Sequence, residues 1–273
     1  MELRGSIGIL TGASRGLGVY IAEALTRKGV ALALAARSEQ ELKETQTRVE
    51  RLGGRAIIVP TDVGKMKDLE TLVSTTTAEL GPVDLLVNNA GIERYSNYEE
   101  LDVDVIERTL RINLWAPEVL SRLVLPDMVQ RRRGHIVNVA SVGGKTAVPY
   151  NAVYSSSKHG LVGFSWSLRE EMRSHGVGVS VVCPGFVSDS GMFHHWSQGE
   201  KPPSVSRMVT PEKVADSVVK AIEGDKAEII VARGLTKIVD ITHAISPAFT
   251  TAVARRTGAY SFLRKATKGD FRG

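Results

Sequence analysis

A single cysteine, Cys183, stands among 273 residues, so no internal disulfide can form and a reducing, cytoplasmic location is expected. No apolar run approaches the ~20 residues of a membrane span; the longest lies around Val30 to Ala36. No basic segment followed by an apolar one opens the chain, and Ile7 to Thr11 already reads as a strand, so a secretory leader is not expected. Aromatics are scarce at 5%, and no motif pairs them with a nucleic-acid-reading pattern, so nucleic acid is not an expected partner. Excess charge is also scarce over most of the chain. The net charge is +5, but from Arg233 onward eight Lys/Arg face only Asp240 and Asp270, which places +6 on the tail and −1 on the remaining 232 residues. Any polyanion or membrane-surface argument belongs to the tail alone.

What is present fits a globular protein: 42% hydrophobic and 24% charged residues, in a chain long enough for one large domain or two small ones. Short apolar runs alternate with segments of helical period. The strand candidates are Ile7–Leu10, Ala31–Ala35, Ala56–Val59, Leu85–Val87, His135–Val139, Gly178–Val182 and Glu228–Val231. Being apolar at nearly every residue, they read as strands covered on both faces. Helices are expected at Leu17–Arg27, Glu39–Leu52, Lys65–Leu80, Val103–Val129, Val153–Ser174 and Pro211–Glu223, the last with Thr210 as its N-cap. This alternation predicts an α/β, doubly wound parallel sheet with right-handed crossovers. The expected division is a catalytic domain over 1–232, with a lid at Ser188–Val209, and a basic extension over 233–273.

The first strand runs into Thr11-Gly12-Ala13-Ser14-Arg15-Gly16-Leu17-Gly18 and then a helix. Glycines there allow a tight turn, let a pyrophosphate approach the backbone and present helix N-terminal N–H groups to it; the blander reading is a tight turn with no ligand. About 20 residues on, NAD-binding proteins place an acid for the ribose 2′-hydroxyl. Here the stretch reads Ala35-Ala36-Arg37-Ser38, with no acid. Arg37 and Arg15 would pair with a 2′-phosphate through charge-assisted bonds, so NADP(H) is expected over NAD(H), unless both are simply solvated.

Tyr154 and Lys158 are four residues apart in Tyr154-Ser155-Ser156-Ser157-Lys158, on one face of an expected helix. A nearby ammonium would lower the phenol pKa toward working pH, making Tyr154 a general acid or base. By itself such a pair is common on exposed helices. Its companions give it weight: Asn88-Asn89-Ala90-Gly91, Asn113, Ser141 and Pro184-Gly185.

In this order and at these spacings the whole set, over about Ser6 to Val231, resembles the short-chain dehydrogenase/reductase family. The resemblance implies a single Rossmann-fold domain with a seven-stranded parallel sheet. It also implies that Ser141 holds the substrate oxygen, that Tyr154 exchanges its proton and that Lys158 binds the nicotinamide ribose. Asn113 would hold a relay water. Gly12, Ser14, Arg15, Gly16, Leu17, Gly18 and Arg37 would take the phosphates and adenosine ribose. Asp62 and Val63 would meet the adenine, Asn89, Ala90 and Gly91 would line the trough, and Pro184, Gly185 and Val187 would lie beside the nicotinamide. One position departs from the family: Asp189 stands where a Thr often contacts the carboxamide, and Ser188 or Ser190 are the nearby hydroxyls.

Val142, Val148, Pro149, Phe186, Met192, Phe193 and Trp196 form an apolar set that favours a small hydrophobic carbonyl or alcohol substrate. Alternatives are a 3-oxoacyl carrier-protein reductase and a non-catalytic NADPH-binding regulator. By family analogy the chain would form a homodimer or homotetramer. His194 and His195 lack companions for metal ligation, so no metal is expected. Arg131-Arg132-Arg133 is explained by a helix dipole. In the tail, Leu235, Ile238, Val239, Ile241, Thr242 and Ile245 keep a helical stripe that Pro247 would end. The extension either packs on the body or a neighbouring subunit, or rests as a basic amphipathic segment on an anionic membrane, a peripheral contact.

Overall fold

Apolar runs such as Leu85-Leu86-Val87 are buried at every residue, and buried runs of this kind become central strands covered on both faces. The computed structural model describes residues 1–188, 192, 208–234, 242–265 and 267. Its strands are β1 (Ile7–Thr11), β2 (Ala31–Ala36), β3 (Ala56–Pro60), β4 (Leu85–Asn88), β5 (Gly134–Val139), β6 (Val177–Pro184) and β7 (Glu228–Val231). They form one parallel sheet in the order β3-β2-β1-β4-β5-β6-β7. The helices are α1 (Leu17–Arg27), α2 (Glu39–Arg51), α3 (Met66–Glu79), α4 (Val103–Leu110), α5 (Ala116–Arg131), α6 (Ala152–Met172), α7 (Pro211–Glu223), α8 (Pro247–Arg256) and α9 (Ala259–Lys265). One face of the sheet is covered by α1, α2 and α7 through Ile21, Leu25, Leu42, Val214 and Val218. The other packs on α3, α5 and α6 through Leu69, Leu72, Leu120, Met128 and Leu168. This is the expected doubly wound α/β fold.

Because β1 pairs with both β2 and β4, the winding reverses between β1 and β4. A crevice opens at the carboxyl ends of the strands at such a point.

Two local expectations need correction, and a third gains a second part. The helix expected over Val103–Val129 is interrupted by a π-turn at Arg111–Trp115 between α4 and α5. That turn carries the buried Asn113, whose Oδ1 accepts from Ile92 N at 2.8 Å and whose Nδ2 donates to Ile92 O at 2.8 Å. A π-turn of this kind re-aims a side chain within an otherwise regular helix. Helical residues 242–245 stop before Pro247, as expected, and Pro247 in addition opens α8, where the Ser246 hydroxyl accepts from Phe249 N. Finally, the arginines after α5 do more than face a dipole: Arg131 and Arg133 both bind the buried Asp84 carboxylate, at 2.7 and 3.0 Å. Leu235, Ile238, Val239 and Ile241 of the expected stripe lie outside the described residues, as do Asp189, Ser190, Phe193, His194, His195 and Trp196.

The extension closes back on the body. Phe262 of α9 meets Phe186 edge to face, with ring centroids 6.1 Å apart. Tyr95, Phe262 and Leu263 form a buried cluster with Val148, Tyr150 and Met208. The two sides of the segment expected as a lid meet at its base, Val187 bridging to Val209 and Ser188 N donating to Val209 O at 2.9 Å.

Candidate active site

At the switch point, β1 delivers Thr11 and the glycine loop. The Thr11 hydroxyl accepts from the backbone N–H groups of Asn89 and Ala90 at 3.0 and 3.1 Å. The Asn89 amide donates to the carbonyls of Thr11 and Gly12. The turn after β4 is thus stapled to the glycine loop, and the Asn89 side chain is spent on that staple. Gly16 has φ 59° and ψ −136°, a conformation closed to residues with a Cβ. A Cβ on Gly12 would lie 2.9 Å from Ala90 Cα, and one on Gly18 would overlap the Gly12 carbonyl oxygen.

The crevice is a cavity of about 1000 Å³. Every cofactor candidate except Gly18 lines it: Gly12, Ser14, Arg15, Gly16, Leu17, Arg37, Asp62, Val63, Asn89, Ala90, Gly91, Tyr154, Lys158, Pro184, Gly185 and Val187. Gly18 acts by letting α1 approach the loop. The bare backbone of the loop and the exposed Arg15 and Arg37, which make no ion pair among the described residues, fit a dinucleotide with an additional phosphate.

At the far end β5 delivers Ser141 and α6 delivers Tyr154 and Lys158, all lining the same cavity. The Ser141 Oγ accepts from Gly143 N at 3.0 Å, which fixes its rotamer. Lys158 Nζ donates to Val139 O at 2.9 Å and sits 5.8 Å from the centre of the Tyr154 ring. Asn113 lies behind this wall. A Cβ on Gly91 would be 3.4 Å from Asn113 Oδ1 and 3.5 Å from Lys158 Nζ, so both side chains converge on the Gly91 backbone.

The electrostatics depart from the simple expectation for a Tyr-x-x-x-Lys pair. Burial pushes the Tyr154 phenol up, the Glu93 carboxylate pushes it further, and a hydrogen bond with Ser141 opposes them. In the protein alone the phenol is therefore held protonated, because desolvation and Glu93 outweigh the Ser141 hydrogen bond. Burial also pushes the Lys158 ammonium down to about 8. With a folded pKa below the ordinary 10.5, the charged lysine costs stability fully below pH 8, and that cost fades as pH rises to 10.5. Lys158→Met is expected to raise the stability of the cofactor-free protein by about 1–2 kcal/mol at neutral pH, net of the lost bond to Val139. Urea unfolding at neutral and alkaline pH checks this: the gain should shrink at alkaline pH, and an equal gain at both would contradict the argument.

Glu93 and Tyr95, which belong to no motif, also line the cavity, and Glu93 accepts from Asn151 Nδ2 at 3.2 Å. Of the expected apolar set, Val142, Val148, Phe186 and Met192 line the pocket, whereas Pro149 does not. From the extension come Phe249, Val253, Tyr260, Phe262 and Leu263. Their contribution could not be seen in local sequence, since Phe262 meets Phe186 across most of a hundred residues. Among the described residues no cluster of potential metal ligands exists.

A switch-point crevice with a glycine cradle at one end and Ser141, Tyr154 and Lys158 at the other defines a dinucleotide-dependent oxidoreductase. The family model for short chain dehydrogenases matches residues 7–201. The chain is 40% identical to the ketoacyl reductase HetN of Nostoc sp., over 96% of this chain and 93% of that protein. It is 33% identical to a putative ketoacyl reductase of Streptomyces coelicolor, over 84% of this chain and 94% of the relative. Among solved structures, a variant of the actinorhodin polyketide ketoreductase with NADPH superposes with a TM-score of 0.78 at 32% identity, covering 85% of this chain and 97% of that one. The chain belongs to the short-chain dehydrogenase family, and it is an oxidoreductase.

Proposed function

We propose that this chain is an NADP(H)-dependent oxidoreductase that interconverts the carbonyl of a small apolar substrate and the corresponding alcohol by hydride transfer, with Tyr154 as acid and base. The observation that carries the reading is the placement of the Ser141 hydroxyl, the Tyr154 phenol and the Lys158 ammonium on one wall, between the glycine cradle and an apolar pocket. The substrate oxygen would accept a hydrogen bond from Ser141 and a proton from Tyr154, whose burial keeps it protonated and ready to donate. Lys158, protonated at neutral pH, would hold a ribose hydroxyl and favour the phenolate once the proton has left. Asn113, whose amide is bound to Ile92 and Ser157, would position the relay water. NADPH, when bound, supplies the hydride that adds to the carbonyl carbon.

A second reading, reduction of a 3-oxoacyl thioester, is supported by the apolar wall that α8 and α9 add to the pocket and by the ketoacyl reductases among the relatives. The working assembly would be a homodimer or homotetramer. Consumption of NADPH on addition of an apolar ketone or a 3-oxoacyl thioester tests the proposal. A chain that binds NADPH and reduces neither would be the non-catalytic regulator instead.

Cofactor preference rests on Arg15 and Arg37. Arg37→Glu is expected to weaken NADPH binding roughly tenfold to a hundredfold, the worth of one charge-assisted contact, with little effect on NADH. Titration of each dinucleotide against wild type and variant measures this; equal losses for both would place the arginine away from the 2′-phosphate.

A further inference from the structure

The short stretch after Gly91 is tied to the body at both ends. Asn113 bonds Ile92 through both its N–H and its carbonyl, and Ser96 N donates to Tyr150 O at 2.8 Å. Between these ties lies Glu93, half-buried, with Oε2 accepting from Asn151 Nδ2 at 3.2 Å. Glu93 lines the cavity that holds Tyr154. Local rules give way to put it there. Asn151, 2% exposed, is the N-cap residue of α6, where an asparagine side chain ordinarily accepts from the helix's first N–H groups. It makes no such bond and turns its amide to Glu93 instead. Tyr150, just before it, has φ 65°, a left-handed backbone that is strained for an aromatic residue. Departures of this kind cluster at functional sites.

Among the described residues the other carboxylates that line the cavity, Glu41 and Asp62, stand at the cofactor end with Arg37 and Val63. The substrate end is lined by apolar residues such as Val148, Phe186, Phe249 and Val253, with Glu93 as its carboxylate. After burial, Glu93 is the next cause that pushes the Tyr154 phenol up, so its charge reaches the reacting group. A carboxylate has roughly four acceptor sites, so one held by Asn151 can also accept from a ligand. We infer that Glu93 is a substrate-recognition residue, which accepts a hydrogen bond from a hydroxyl or ammonium group that the substrate carries away from its carbonyl. The carbonyl oxygen then meets Ser141 and Tyr154, and the apolar remainder of the substrate covers Phe249 and Val253. Glu93 thereby selects hydroxy- or amino-substituted carbonyl compounds over plain ones. The inference rests on the proposed carbonyl chemistry and names the substrate class within it.

The test compares kcat/KM, with NADPH, for straight-chain ketones and for the same ketones carrying a terminal hydroxyl or a terminal ammonium, at several chain lengths. The quantity read is the ratio of donor-bearing to plain ketone within each protein, so a general loss of rate or an altered Tyr154 cancels. Wild type is expected to favour at least one donor-bearing ketone by about tenfold to a hundredfold, the worth of a hydrogen bond to a charged group. In Glu93→Leu that preference should vanish. Glu93→Gln keeps size and shape and separates the two donors. Its amide oxygen still accepts from a hydroxyl but carries no charge for an ammonium, so a preference for the hydroxyl should survive in part and one for the ammonium should be lost. Thermal melts check that both variants fold. A Glu93→Leu protein with the wild-type ratio would overturn the inference, as would a wild type that reduces plain ketones and favours no donor. Reduction of no ketone at all would overturn the proposed function, and this inference with it.

Discussion

Tyr154→Phe is expected to lower kcat by about 10²–10⁴-fold, the usual contribution of a positioned proton donor. The fold should survive the change. Tyr154 is buried, its ring packing is kept by phenylalanine, and Ser141 retains its contact with Gly143 N. Loss of the single hydroxyl bond costs about 1 kcal/mol or less of stability. NADPH affinity should change little, since the phenol is set to act on the substrate oxygen. Steady-state kinetics and a dinucleotide titration separate these effects. A variant that keeps kcat within a few-fold of wild type would mean that another group donates the proton, and Tyr95, Glu93 and Lys158 are among the titratable groups that the cavity offers.

Gly18→Ala is expected to fail at the other end of the crevice. The added methyl would overlap the Gly12 carbonyl oxygen and lie 2.9 Å from Ala13 Cα, both backbone atoms of the loop that β1 holds. Neither is a flexible side-chain end, so α1 or the loop must shift. A forced shift of this kind costs about 1–3 kcal/mol of stability. A displacement of about 1 Å at the cradle would lower kcat/KM on the order of a hundredfold. Thermal melts and NADPH titration measure the two parts. Wild-type cofactor affinity in Gly18→Ala would show that the loop is more yielding than its packing implies.

Much of this could be read from the chain before any coordinates. Buried strands announce themselves when every residue is apolar, as in β4, and a glycine loop after the first strand locates the crevice. The features that escaped are non-local or carry no local signal. The π-turn falls in Arg111-Ile112-Asn113-Leu114-Trp115, which holds no Gly or Pro to mark a break, so one continuous helix is the natural expectation. The pairing of Arg131 and Arg133 with Asp84 joins residues nearly fifty positions apart. Pro247 follows one helical segment and opens the next, and only the Ser246 cap reveals the second role. The direction of the Tyr154 shift was also hidden, because spacing reveals the lysine and not the depth of burial that overrides it.

The measurement that bears most directly on the central claim is NADPH oxidation by the wild-type chain, beside Tyr154→Phe, across apolar ketones, aldehydes and 3-oxoacyl thioesters, repeated with NADH. The account predicts turnover of at least one carbonyl, a preference for NADPH, and collapse of that turnover in the phenylalanine variant. Turnover that persists without the Tyr154 hydroxyl, or NADPH bound tightly with no carbonyl reduced, would contradict it.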